Sequence, residues 1–190
     1  MKKCRIIVAL SLFVLLIGCS QGTSDSETEI VQEKVNEVLG INPYIPQTDF
    51  PFGSLLIGYE MDTEEGEVTT GDPMQAEIIY YFSKDEPLDE EMKKAWGDER
   101  KELVYGDLYL DNTAIQMTIS KGVVGELAGA ESIEIDGHEV QYQVINEEMD
   151  VVVMGMDFDG YGYTIQYFLL EDETKEDAIA FAEEIINNNE

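Results

Sequence analysis

His138 is the single histidine of the chain, the side chain whose ordinary titration falls nearest neutral pH. A catalytic imidazole needs a nucleophile to activate or a partner to orient it. His138 has neither near it in sequence; it follows Asp136-Gly137 beside Ile135 and reads as a half-buried histidine at a sheet end. Zinc would require further His or Cys ligands, and the chain's two Cys are Cys4 and Cys19, both near its start. Asp157-Phe-Asp159-Gly160 invites comparison with a calcium loop. Counted from Asp157, such a loop finds Gly162 at its sixth position but Phe168 where the bidentate glutamate belongs. The stretch with Asp62, Glu64, Glu65, Glu67 and Asp72 suits weak, nonspecific cation binding. With 41 acidic residues, chance alone brings carboxylates to the spacing used in glycoside hydrolysis, so the sequence selects no pair. Ser-x-x-Lys, phosphate-loop and dinucleotide motifs are absent. These residues point to a non-enzymatic protein with no cofactor and no metal site.

Strand periodicity brings a more cohesive set together. From Asp150 to Leu170 two alternating runs flank Asp159-Gly160, a dipeptide that tolerates the positive φ needed at both central positions of the favoured hairpin turn. That turn sets Phe158 opposite Tyr161, Met156 opposite Tyr163, Met154 opposite Ile165 and Val152 opposite Tyr167, with all these side chains on one face. Asp136-Gly137 pairs Ile135 with His138 and Ile133 with Val140 by the same logic. Asp111-Asn112 pairs Leu110 with Thr113, Leu108 with Ile115, Gly106 with Met117 and Val104 with Ile119. Met117, Met154, Met156, Tyr161, Tyr163 and Tyr167 then make a Met/Tyr-rich candidate binding face. Met adapts to varied apolar shapes and Tyr joins contact area to a polar end. Helices that leave this face partly uncovered would create a groove for a lipid or apolar peptide; helices that cover it would make the same residues core.

The flanking elements follow from spacing and punctuation. Glu27 to Leu39 carries Val31, Val35, Val38 and Leu39 on one helical stripe, ended by Gly40-Ile41. Asn42 to Pro51 holds three prolines and reads as an extended link. Strands are expected over Ser54–Met61 and Gln75–Phe82, with a long exposed loop over Asp62–Pro73. Ile79 and Tyr81 on the second face of the later strand imply cover on both sides. Pro87 to Trp96 fits a short helix with Trp96 as a lid over the sheet edge, and Gly122 to Gly129 a loose connection. Thr174 with Asp177 resembles a capping box opening a last helix with Ala178, Phe181, Ala182 and Ile185 inward. The expected class is α+β: a curved antiparallel β-meander of about eight strands with an N-terminal and a C-terminal helix on one face.

The start of the chain reads as an address. Lys2, Lys3 and Arg5 precede the apolar run Ile6–Ile17, which is short for a membrane span. It ends in Leu16-Ile17-Gly18-Cys19, which resembles the lipobox of bacterial lipoproteins. The resemblance implies cleavage between Gly18 and Cys19, a diacylglyceryl thioether on Cys19, and a body anchored at the cell membrane on its extracytoplasmic side. Residues 1–18 are then the signal peptide, 19–26 the lipidated cysteine and flexible tether, and 27–190 a single domain. Without residues 1–18 the chain has 8 basic against 41 acidic residues, a formal charge of −33. Nucleic acid is excluded as a partner. Anionic headgroups repel the body as well, so it stands off the membrane on its tether.

A second resemblance covers Ser132 through Ile186. Ile133-Glu-Ile-Asp-Gly-His-Glu-Val140, then Tyr161-Gly-Tyr163, then Lys175-Glu-Asp-Ala178 at the opening of the final helix resemble an uncharacterised extracytoplasmic domain of Gram-positive lipoproteins. The same domain is found in anti-sigma-factor-like proteins, and its fold is similar to the half-barrel of lipoprotein carriers such as LolA. The resemblance implies a surface-anchored binding or sensing module with a protein, peptide or lipid ligand, and it carries over no site residues. Two other readings are a structural or assembly lipoprotein acting through its acidic surface, and a cell-wall hydrolase with two carboxylates converging in a cleft.

Overall fold

The computed structural model describes residues 25–64, 67–96, 100–146, 149–170 and 172–189, and the side chains of these except 25, 62–69 and 95–96. Gly18, Cys19 and the expected signal peptide lie outside the described residues, as does the side chain of Trp96. The elements run α1 (Asp25–Leu39), β1 (Phe52–Glu64), β2 (Glu67–Tyr81), α2 (Glu90–Trp96), β3 (Lys101–Gly106), β4 (Thr113–Lys121), β5 (Glu131–Ile135), β6 (His138–Asn146), β7 (Asp150–Phe158), β8 (Tyr161–Phe168) and α3 (Lys175–Asn189). The class is α+β, as the alternation and the terminal helical stripes predict. Eight antiparallel strands form one sheet in the order β3-β1-β2-β4-β8-β7-β6-β5.

The β7–β8 hairpin has the predicted register, Phe158 with Tyr161 through Val152 with Tyr167, because a slip of one residue would turn every apolar side chain to the other face. The β5–β6 hairpin pairs Ile135 with His138 and Ile133 with Val140. The two turns differ. Asp136 (φ 48°) and Gly137 (φ 85°) are both left-handed, whereas at Asp159-Gly160 the glycine alone has positive φ.

The hairpin expected at Asp111-Asn112 does not form. β3 crosses to the far side of β1, and β4 returns to lie between β2 and β8. Asp111 uses its carboxylate otherwise: it accepts hydrogen bonds from the Ser83 hydroxyl and from the backbone N–H groups of Asp85 (3.1 Å) and Glu86 (2.9 Å). It thereby helps hold residues 83–88 and 107–111 together over the outer face of β1 and β2, where Leu56, Ile79, Tyr81 and Leu108 form a small second core with Leu88 and Tyr109 packed against it. A second correction concerns Asp62–Pro73, whose described residues are strand: β1 runs on to Glu64 and β2 begins at Glu67, the two paired as a ribbon.

The main core lies on the inner face. Leu55, Ile57, Ile78, Tyr80, Ile115, Ile119, Val152 and Ile165 of the sheet meet Val31, Val35 and Leu39 of α1 and Ala178, Phe181, Ala182, Ile185 and Ile186 of α3. Gly40 (φ 70°) ends α1 as a glycine stop, its N–H bonded to the Asn36 carbonyl at 2.9 Å. At the start of α3 the capping box is reciprocal. Thr174 N–H donates to Asp177 Oδ2 at 2.9 Å and Asp177 N–H to Thr174 Oγ1 at 3.3 Å, so a shorter aspartate fills the position usually held by Glu or Gln.

Candidate functional site

The Met/Tyr set is assembled as the spacing predicts, but it is closed. Met117, Met154 and Tyr163 are 0 % exposed, Met156 1 % and Tyr167 5 %, while Tyr161 is half-buried. The stripes of α1 and α3 belong to the same buried cluster. Of the two alternatives for this face, these residues are core, and Phe50 of the link packs against the cluster.

The polar ends of the tyrosines explain how the cover is held. A buried phenol must find an acceptor. The Tyr163 hydroxyl donates to the Tyr44 carbonyl at 2.9 Å and to Asn189 Oδ1 at 3.3 Å. Asn189 Oδ1 also accepts from the Tyr161 hydroxyl (2.7 Å) and from the Tyr44 N–H (3.1 Å), while its Nδ2 donates to the Ile185 carbonyl at 2.7 Å. At the other end of α3 the Tyr167 hydroxyl donates to Glu173 Oε2. One strand thus fastens both ends of one helix. Burial holds the Tyr163 and Tyr167 phenols well above the usual tyrosine range, with the Glu173 carboxylate adding to the effect at Tyr167. Tyr44, Glu173 and Asn189 were not legible as partners, since each lies in a segment whose alternation carries no sheet signal; the run Asn187-Asn188-Asn189 in the last helical turn is the visible trace.

A cleft of about 550 Å³ opens on the other side of the sheet, lined by Glu126, His138, Glu139, Gln141, Gly155, Met156 and Asp157. Its wall is the segment 122–130, expected to be loose but bonded down at several points. Val124 N–H donates to Asp157 Oδ1, Leu127 N–H to Gln141 Oε1 at 2.8 Å, and Gln141 Nε2 to the Gly125 carbonyl at 3.1 Å. His138 is half-buried at the sheet end and stacks on Phe158, centroids 4.7 Å apart. Glu126, Glu139 and Asp157 are solvent-exposed, and Glu139 accepts a hydrogen bond from the Ser132 hydroxyl at 3.0 Å. Glycosidases surround one carboxyl with apolar groups that keep its proton; here each carboxylate faces water, and the arrangement can attract cations. Among the described residues no three His, Cys, Asp or Glu side chains converge to hold a metal ion.

Comparison with models of protein families, with curated proteins and with solved structures finds no match. Among the described residues no helix is long and apolar enough to cross a membrane.

Proposed function

We propose that the chain is a lipid-anchored, extracytoplasmic, non-enzymatic binding module that meets a protein partner on its exterior. The anchor rests on the order of basic start, apolar run and Leu16-Ile17-Gly18-Cys19, and the role as a surface module on the resemblance of Ser132–Ile186 to extracytoplasmic lipoprotein domains. The observation that carries the choice of exterior over groove is the closure of the Met/Tyr face, with Met117, Met154, Met156 and Tyr163 buried in the core cluster to which α1 and α3 also contribute. A formal charge of −33 without the signal peptide favours a partner with basic character.

Two measurements test this reading. Mass spectrometry of the protein from membranes is expected to find a diacylglyceryl group on Cys19; an unmodified Cys19 or a different first residue refutes the anchor. Titration of the folded body with a fluorescent fatty acid is expected to show no saturable uptake. Stoichiometric uptake, lost on Met154→Trp, overturns the exterior reading in favour of a ligand on the concave face.

A further inference from the structure

The β1–β2 hairpin is longer than the sheet it belongs to. Pairing of β3 with β1 runs no further than Gly58, with one more bond from Tyr59 N–H to the Arg100 carbonyl. Pairing of β4 with β2 begins only at Gln75. Beyond those points Met61–Glu64 and Thr70–Glu67 pair with each other alone. Among the described residues no third strand joins this ribbon, so each of its strands presents an outer row of N–H and C=O groups. Register shifts at Gly58/Tyr59 and Tyr59/Met61 put the extra residues on the β2 side of its root, and such bulges bend a ribbon away from the sheet plane. Met61 and Met74 are exposed there, at 37 % and 43 %.

A lone two-stranded ribbon is marginally stable in water, and natural sheet edges are usually short or covered. Here Met61–Glu64 and Glu67–Thr70 meet no third strand among the described residues, and charge sets what can lie along them. From Glu60 to Asp72 the sequence has six acidic residues and no basic one. That charge repels a second copy of the ribbon, an anionic membrane and nucleic acid, and it attracts a basic strand. We infer that the ribbon is the docking element of the protein: an extended Lys/Arg-bearing segment of a partner protein adds to its edge as a third strand. Main-chain hydrogen bonds supply the pairing, the carboxylates select the sign of the partner, and Met61 and Met74 offer apolar contact at the root.

This inference rests on the exterior-binding reading and deepens it, and the two fail separately. Uptake of a fatty acid on the concave face would overturn that reading without bearing on the ribbon. The test of the ribbon uses the whole lipidated chain from Cys19 in vesicles, titrated with a synthetic peptide of alternating Lys and Val. Its controls are the same peptide with alternate amides N-methylated, and spermidine. Saturable binding is expected, with hydrogen-exchange protection confined to residues 59–64 and 67–72. N-methylation is expected to weaken it roughly tenfold or more by removing ladder bonds. Glu60→Gln with Asp72→Asn is expected to weaken it roughly three- to tenfold, and Glu176→Gln with Glu183→Gln on α3 to leave it unchanged. The inference is overturned by no binding, by protection elsewhere, by N-methylated peptide or spermidine binding as tightly, or by the α3 pair weakening it equally.

Discussion

The Tyr44 hydroxyl donates to Glu184 Oε1 at 2.6 Å, tying the proline-rich link before β1 to the middle of α3. Burial, and then the Glu184 carboxylate, push the Tyr44 phenol from 10.0 up to about 12. The folded chain therefore holds this proton more firmly than the unfolded one. The contribution is complete below the unfolded value near pH 10 and is lost as pH rises through about 12. Denaturant midpoints at about pH 8 and about pH 11 are expected to differ, with the protein weaker at the higher pH. Glu184→Gln should shrink the difference and bring one tyrosine's absorbance titration down toward the ordinary range. Equal midpoints for the native chain at the two pH values would contradict the assignment.

Asn189 is the point where α3, β8 and the link meet. Its Oδ1 accepts from Tyr44 N–H, Tyr161 and Tyr163. Asn189→Ala leaves these donors short of an acceptor, an expected loss of about 2 kcal/mol. Asn188 offers the internal comparison: its side chain is exposed and donates to the Glu184 carbonyl within the same helix at 2.8 Å. Asn188→Ala is expected to change stability by less than about 0.5 kcal/mol. Urea unfolding of both variants checks the contrast, and similar losses for the two would deny Asn189 its role.

What could be read from the chain, and what could not, divides along the reach of each interaction. Asp136-Gly137 and Asp159-Gly160 lie between runs that alternate on both sides, so a local turn and a one-sided core agree on one register. The Asp111-Asn112 turn had the same local signature, but Asp111 serves Ser83, Asp85 and Glu86 instead. Pairing of β4 with β8 and of β3 with β1 joins strands far apart in sequence, and alternation alone names no partner. The ribbon of β1 and β2 was missed for a different reason. Past Met61 its pairs are Asp62 with Thr69, Thr63 with Val68 and Glu64 with Glu67, so no face there carries the apolar alternation by which a strand announces itself. The Met/Tyr face was legible as a set, whereas its closure depended on where two helices land.

Glu77 is 4 % exposed on the outer face, and its Oε2 lies 2.6 Å from Lys101 Nζ on the edge strand β3. Removing the cation strands a buried carboxylate, which costs more than the pair contributes. Lys101→Met is expected to destabilise by about 2–4 kcal/mol, toward the low end because the lysine is partly exposed. Glu77→Gln added to Lys101→Met should restore part of the loss. A double-mutant cycle by chemical denaturation measures the coupling, and simple additivity would show that the pair is not acting as one.

Gly162 and Gly155 test how closely the segment 122–130 lies on the sheet. A Cβ at Gly162 would sit 2.6 Å from both Asp157 Oδ1 and Val124 Cγ2 and 2.9 Å from the Met156 carbonyl. Asp157 is already held by the Val124 N–H, and a backbone carbonyl cannot swing aside, so the added methyl has nowhere to go. At Gly155 the nearest atoms are Leu127 Cδ1 at 3.0 Å and Val124 Cγ1 at 3.2 Å, ends of side chains on a segment that can lift slightly. Gly162→Ala is therefore expected to cost about 2–3 kcal/mol and Gly155→Ala about 1 kcal/mol or less. Hydrogen exchange adds a local readout: Gly162→Ala should expose the Val124 amide, whose acceptor is the displaced carboxylate, before it affects the amides of β4. A neutral Gly162→Ala with Val124 still protected would mean that the segment stands clear of the sheet and that Asp157 does not hold it.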